Sequence, residues 1–135
     1  MAIPVKELKG ITDEVVAKLK EQGITNSEQF LKAAATSKQR KELSVKLNTS
    51  TNFILELANQ ADLNRVTGIG RVFSDLLEVA GVDTVKEMSK RDPKNLHAKL
   101  TEVNAQQKLA SRVPTPAQVE DWVKQAKALP VVLEY

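Results

Sequence analysis

The chain has no cysteine, which excludes disulfides, thiol catalysis and cysteine-ligated metal centres. Aromatic residues are scarce as well, with three Phe, one Trp and one Tyr in 135 residues. A core must therefore be built mostly from Leu, Val, Ile and Ala, a palette that favours packed helices, because sheets draw on β-branched and aromatic side chains. No apolar run is long enough to span a bilayer. The opening Met1-Ala-Ile-Pro-Val-Lys6 lacks the apolar stretch of a secretion signal, so the expected location is the cytoplasm and no membrane partner is expected. In that setting Asn48-Thr49-Ser50, which has the form of a glycosylation acceptor, reads as helix-capping chemistry. A large excess of charge of either sign is lacking as well. The net charge is +3 with a pI near 9.2, shared as +1 on residues 1–62 and +2 on residues 63–135. That balance permits contact with nucleic acid but supplies no polybasic arm.

What the sequence does have is internal similarity. Val5-Lys-Glu-Leu-Lys-Gly-Ile-Thr12 lies over Leu63-Asn-Arg-Val-Thr-Gly-Ile-Gly70. At one offset of 58 residues Gly10 falls on Gly68, Ile11 on Ile69, Leu19 on Leu77 and Gly23 on Gly81. Leu8/Val66, Ile24/Val82 and Phe30/Met88 keep their apolar character at that offset. Toward the ends the offset grows to 65, pairing Ile54, Leu57 and Ala61 with Val119, Trp122 and Ala126. The reading is a duplication, with residues 1–62 as the first repeat and 63–135 as the second, packed as one compact unit. The added residues belong within Asn104–Thr115.

Each repeat reads as a run of short helices. Thr12 followed by Asp13 and Glu14 starts one, and Gly23 ends it. Thr25-Asn-Ser-Glu28 reads as a capping box opening a helix to about Ala35, and further helices are expected near Lys38–Leu47 and Thr51–Asp62. In the second repeat they are expected near Arg71–Ala80, Thr84–Arg91, Pro93–Val103 and Pro116–Leu129. Pro93 and Pro116 stand at first helical positions behind Asp92 and Thr115, and Thr115 with Gln118 makes another capping box. Trp122 shares a buried stripe with Val119, Val123 and Ala126. Only Val131–Tyr135 resembles a strand. The fold class is all-α.

Leu63-x-x-Val66-x-Gly68-Ile69-Gly70-x-x-x-Ser74-x-x-Leu77 predicts a very tight turn between two helices. Two glycines flank an apolar plug, Ile69, and backbone angles that suit glycine are expected at Gly70. Val72, Phe73, Leu76 and Leu77 are expected to face inward. Backbone N–H groups beside a helix N-terminus form a ready site for an anion, blind to base identity. Here the chain resembles the helix-hairpin-helix superfamily of DNA ligases, repair polymerases and nucleases. It is more closely similar to an uncharacterised family of stand-alone proteins with tandem helix-hairpin-helix repeats. The resemblance implies an all-α, SAM-like fold of two tandem repeats, each opening with such a hairpin. It also implies phosphate contact through the amides around Gly68, Ile69 and Gly70, with Arg65, Thr67 and Arg71 adding side-chain contacts. The first hairpin, Lys9-Gly10-Ile11-Thr12, is degenerate. It lacks the second glycine, and the carboxylates of Asp13 and Glu14 follow it, where they would repel a phosphate.

Other signals carry less. Gly68-Ile-Gly70 is no dinucleotide fingerprint, since Phe73 stands where a third glycine belongs. The lone histidine, His97, has no nucleophile or orienting partner in sequence and reads as structural or surface. Lys86, Lys90 and Lys94, with Arg91, would form a basic stripe on one helix, but Asp92-Pro93 breaks that helix and the lysines read as a solvated face. No catalytic, metal or cofactor site is expected, and the chain reads as non-enzymatic. Its expected partner is DNA gripped by the backbone or, alternatively, another protein, with the hairpins then serving only as joints.

Overall fold

Seven short polar side chains start seven helices of this protein. The computed structural model describes residues 2–135. In its first half, helix α1 (Asp13–Glu21) is capped by the Thr12 hydroxyl, which accepts from the Val15 amide at 3.3 Å. The caps of α2 (Ser27–Ala33), α3 (Ser37–Lys46) and α4 (Thr51–Leu63) are Asn26, Thr36 and Ser50. In the second half Thr84, Asp92 and Thr115 cap α6 (Val85–Ser89), α7 (Pro93–Gln107) and α8 (Pro116–Ala128). Each such bond satisfies one orphan amide and is worth about 1 kcal/mol. Helix α5 (Arg71–Val79) follows Gly70 and has no side-chain cap. Among the described residues there are eight α-helices and no strand, only an isolated bridge between Pro4 and Asn26. None of these helices is long and apolar enough to cross a membrane.

Two details of capping differ from the sequence reading. The cap of α2 is Asn26, not Thr25. Gln29, rather than Glu28, reaches back, and its Oε1 accepts from the Thr25 amide and hydroxyl. Asn accepts from the following amides at least as well as Thr, so the start moves one residue. The Thr115–Gln118 box is present in both directions, with the first-turn proline behind it.

The chain divides into two compact units. The first comprises residues 1–65 together with 131–135, and the second residues 66–130. In the first, α2, α3 and α4 pack on one another and α1 meets a 3-10 turn at Val5–Glu7. Its core is aliphatic apart from Phe30, and Leu133 from the far end of the sequence is one of its buried members. In the second, α6 and α7 pack on α8 while α5 packs on α7. Trp122 is its largest buried side chain, 1% exposed. Residues paired at the 58- and 65-residue offsets have like environments: Leu19 and Leu77, Phe30 and Met88, and Ile54 and Val119 are all fully buried. The additional length of the second unit lies at the end of α7, which has 15 residues where α3 has 10, and in the link Lys108–Thr115.

Val72 departs from expectation, being 50% exposed rather than inward. The inward stripe of α5 runs through Leu76 and Leu77, and Val72 lies off it in the first turn.

Candidate nucleic-acid interface

The turn that precedes α5 is built by a glycine, a glutamine and a tryptophan. Gly68 has φ +99°, a left-handed conformation that costs any L-residue energy. It is also tightly approached, since a Cβ at this position would lie 3.1 Å from Trp122 Nε1. Next to it the Thr67 amide donates to Gln125 Oε1 at 2.8 Å, and Gln125 Nε2 donates to the Thr67 carbonyl at 3.1 Å. The Ile69 side chain is 5% exposed, and its amide closes the turn on the Val66 carbonyl at 3.4 Å. The plug is therefore buried while Thr67, Gly68, Gly70 and Arg71 are exposed around it.

Gly70 does not need to be glycine for its backbone. Its φ of −89° and ψ of −179° are extended and open to any residue, and a Cβ there would meet open space. This corrects the expectation of a glycine-dependent angle at Gly70, because the turn places that demand on Gly68 alone. Gly70 is the N-cap of α5 and offers no side-chain acceptor. The Ser74 amide is bonded back to the Gly70 carbonyl at 2.8 Å, while the amides of Arg71, Val72 and Phe73 precede the first intrahelical bond. No acidic residue lies in that first turn.

Arg65 belongs to the first unit. Its Nε lies 3.2 Å from Asp62 Oδ1, and the two side chains are only 14% and 5% exposed. A half-buried guanidinium beside a buried carboxylate has local charge work to do. Arg71, by contrast, is exposed. A residue that sequence reasoning missed, the exposed Arg112, lies with its guanidinium 5.6 Å from the centroid of the Phe73 ring, within reach for a cation–π contact. Phe73 in turn sits 5.5 Å from the Trp122 ring. Arg112 lies in the link that lengthens the second unit, and nothing local in the sequence points it at Phe73.

The turn at Gly10 has the same pattern of backbone bonds and different chemistry. The Lys9 amide donates to Gln60 Oε1 at 2.7 Å, and Gln60 Nε2 donates to the Lys9 carbonyl at 3.0 Å. Gly10 has φ +86°, and the half-buried Ile11 closes on the Leu8 carbonyl at 3.3 Å. Here, however, the cap is Thr12, in an extended conformation with φ −102°. As expected from sequence, its hydroxyl serves the helix. Asp13 and Glu14 fill the first turn, and Glu14 pairs with Lys18 at 3.1 Å. Gln60 and Gln125 stand 65 residues apart, the offset of the other matched ends, which is the signal that could have found them.

Elsewhere, His97 is half-exposed on α7 and lines an open cleft of about 540 Å³ with Asp92, Lys94, Glu120 and two prolines. Among the described residues no three His, Cys, Asp or Glu side chains are grouped to hold a metal ion. Arg91 Nη2 donates to the Gly81 carbonyl at 3.0 Å, which ties it to the turn after α5. Asp92-Pro93 separates α6 from α7, so the lysines do not share one helix.

Comparison with curated proteins and with solved structures finds no match. A family model, described as a domain of unknown function (DUF4332), matches residues 9–129 and takes in both glycine turns and all eight helices, and the chain belongs to that family.

Proposed function

We propose that this protein is a non-enzymatic nucleic-acid-binding module, made of two tandem helix-hairpin-helix repeats, that contacts backbone phosphates without reading base sequence. The contact is made at the Gly68-Ile69-Gly70 turn of the second repeat. One observation carries the reading: α5 begins without a side-chain cap, whereas each of the other seven α-helices has one. Its leading amides and positive dipole end are therefore available to an anion, and backbone donors favour phosphate over any base edge. Exposed Arg71 and Arg112 supply charge near the same turn, and the stretch from Val103 to Val119 contains no acidic residue. The first hairpin is assigned to packing, since Thr12 already occupies its helix end and Asp13 and Glu14 repel phosphate. Duplication of one ancestral hairpin unit accounts for the paired glycines and paired glutamines.

A labelled duplex and a labelled single strand, run on native gels with micromolar protein at low and at moderate salt, test this directly. The expected result is a shift at low salt that fades as salt rises, similar for unrelated sequences. The second reading is a protein-interaction scaffold. It is favoured by the glutamine bonds at Lys9 and Thr67, which make both turns rigid joints. Absence of any shift at low salt would select it.

A further inference from the structure

We infer that the first unit carries a groove for a short extended peptide, and that the chain's own Val131–Tyr135 segment is bound in it as a tethered ligand. The inference is independent of the nucleic-acid reading. The segment has no regular structure of its own, yet side-chain and main-chain bonds fix it. Leu133 is its anchor, 5% exposed among the core residues of the first unit. The Glu134 amide donates to the Ala35 carbonyl at 2.8 Å. The Glu134 carbonyl accepts from Arg40 Nη2 at 2.6 Å. The Tyr135 ring lies 5.8 Å from the same guanidinium, and its hydroxyl donates to Asn59 Oδ1 at 3.1 Å.

The receptor side is held by bonds within the first unit. Arg40, on α3, is 5% exposed, and its Nη1 donates to the carbonyls of Ala34 and Ala35 at 2.9 and 3.1 Å. Those carbonyls end α2, where the helix dipole favours a cation. Held there, the guanidinium presents Nη2 to a passing backbone carbonyl and one face to an aromatic ring. Ala35 supplies the complementary acceptor. One residue of the peptide is thus read through both of its backbone groups, which demands an extended chain but no particular side chain. The leucine pocket before it and the aromatic position after it add selectivity, the usual division between backbone affinity and side-chain specificity. The ligand chemistry is therefore an extended peptide with leucine at the anchor and an aromatic residue two positions on. Arg40 and Glu134 are 94 residues apart, and the chain between them includes the whole of the second unit. Val131, at the start of the segment, is 69% exposed and gives the tether a free entry.

The test uses the full chain with Leu133→Asp, which releases the segment, and a fluorescent Val-Val-Leu-Glu-Tyr peptide followed by anisotropy. We expect saturable binding to the variant and at least about tenfold weaker binding to the wild type, whose own segment competes at an effective concentration of about 1 mM. Adding Arg40→Met to the variant, or placing Asp at the peptide's leucine, should remove the binding. Should Leu133→Asp lose its helical circular dichroism, Leu133→Ala combined with Glu134→Pro takes its place, because it shortens the anchor and deletes the Glu134 amide donor without placing a charge in the core. No binding to the released variant, equal binding to wild type and variant, or binding that survives Arg40→Met overturns the inference.

Discussion

Gln125 holds Thr67 by both ends of its main chain, accepting from the amide and donating to the carbonyl, and so fixes the turn that opens α5. Gln60 does the same to Lys9. Two hydrogen bonds that a backbone group would otherwise make with water are worth about 1–2 kcal/mol together. Gln125→Ala should therefore lower stability by about 1–2 kcal/mol in chemical denaturation. It should also speed hydrogen exchange of the Thr67 amide while leaving Lys9 unaffected. Gln60→Ala should produce the mirror result. Unchanged exchange at Thr67 in Gln125→Ala would show that the clamp does not hold the turn in solution.

The three glycines of the two turns should respond differently to alanine. Gly68→Ala meets both a left-handed φ and the edge of Trp122, and we expect a loss of about 2–3 kcal/mol. Gly10→Ala keeps the strain but meets only Phe53 at an ordinary 3.9 Å, so about 1–2 kcal/mol is expected. Gly70→Ala should change stability by less than about 0.5 kcal/mol, because its backbone is extended and its surroundings open. Denaturation midpoints of the three variants check the order, and a Gly70→Ala loss as large as that of Gly68→Ala would refute it.

Thr12 and Gly70 occupy matched helix starts, and only one of them caps. Thr12→Ala should cost about 1 kcal/mol by leaving the Val15 amide without its acceptor. Gly70→Thr should leave stability unchanged or raise it by a few tenths of a kcal/mol, roughly the gap between Gly and Thr at this position. Paired denaturation curves decide the matter. A marked loss in Gly70→Thr would mean that the start of α5 is not open to a side chain.

Trp122→Ala should be severe, at about 3–5 kcal/mol, since the indole is buried and supports both Phe73 and the Gly68 turn. A surface role for the indole would instead predict near-neutral stability in the same melt.

The helix starts were largely readable in the sequence, because caps are local: Thr12, Ser50, Asp92 before Pro93, and the Thr115–Gln118 box all act within three residues. The buried stripe of α8 was readable from its spacing, and Trp122 lies in it. Long-range polar contacts were not. The Gln60–Lys9 and Gln125–Thr67 bonds span 51 and 58 residues, and only the shared offset of the two glutamines hints at them. Arg40 sits among Lys38, Gln39 and Lys41 with no local signal that singles it out, yet it is buried against carbonyls at the end of α2. Gly70 misled in the opposite way. Its identity suggested a special backbone angle, but glycine is also tolerated at a helix N-cap, and what matters there is the missing side-chain acceptor.

In the proposed function phosphate takes the place of a cap on α5. This is tested most directly by the anisotropy of a labelled duplex titrated with wild type and with Gly70→Thr across a salt series. The wild type should bind with a log–log salt slope of about 2–4, reflecting few neutralised phosphates. Gly70→Thr, equally folded, should bind about twofold more weakly, because its hydroxyl competes for the same amides with a few tenths of a kcal/mol. Duplex that stays unbound at low salt, or equal binding by both proteins, would contradict the account.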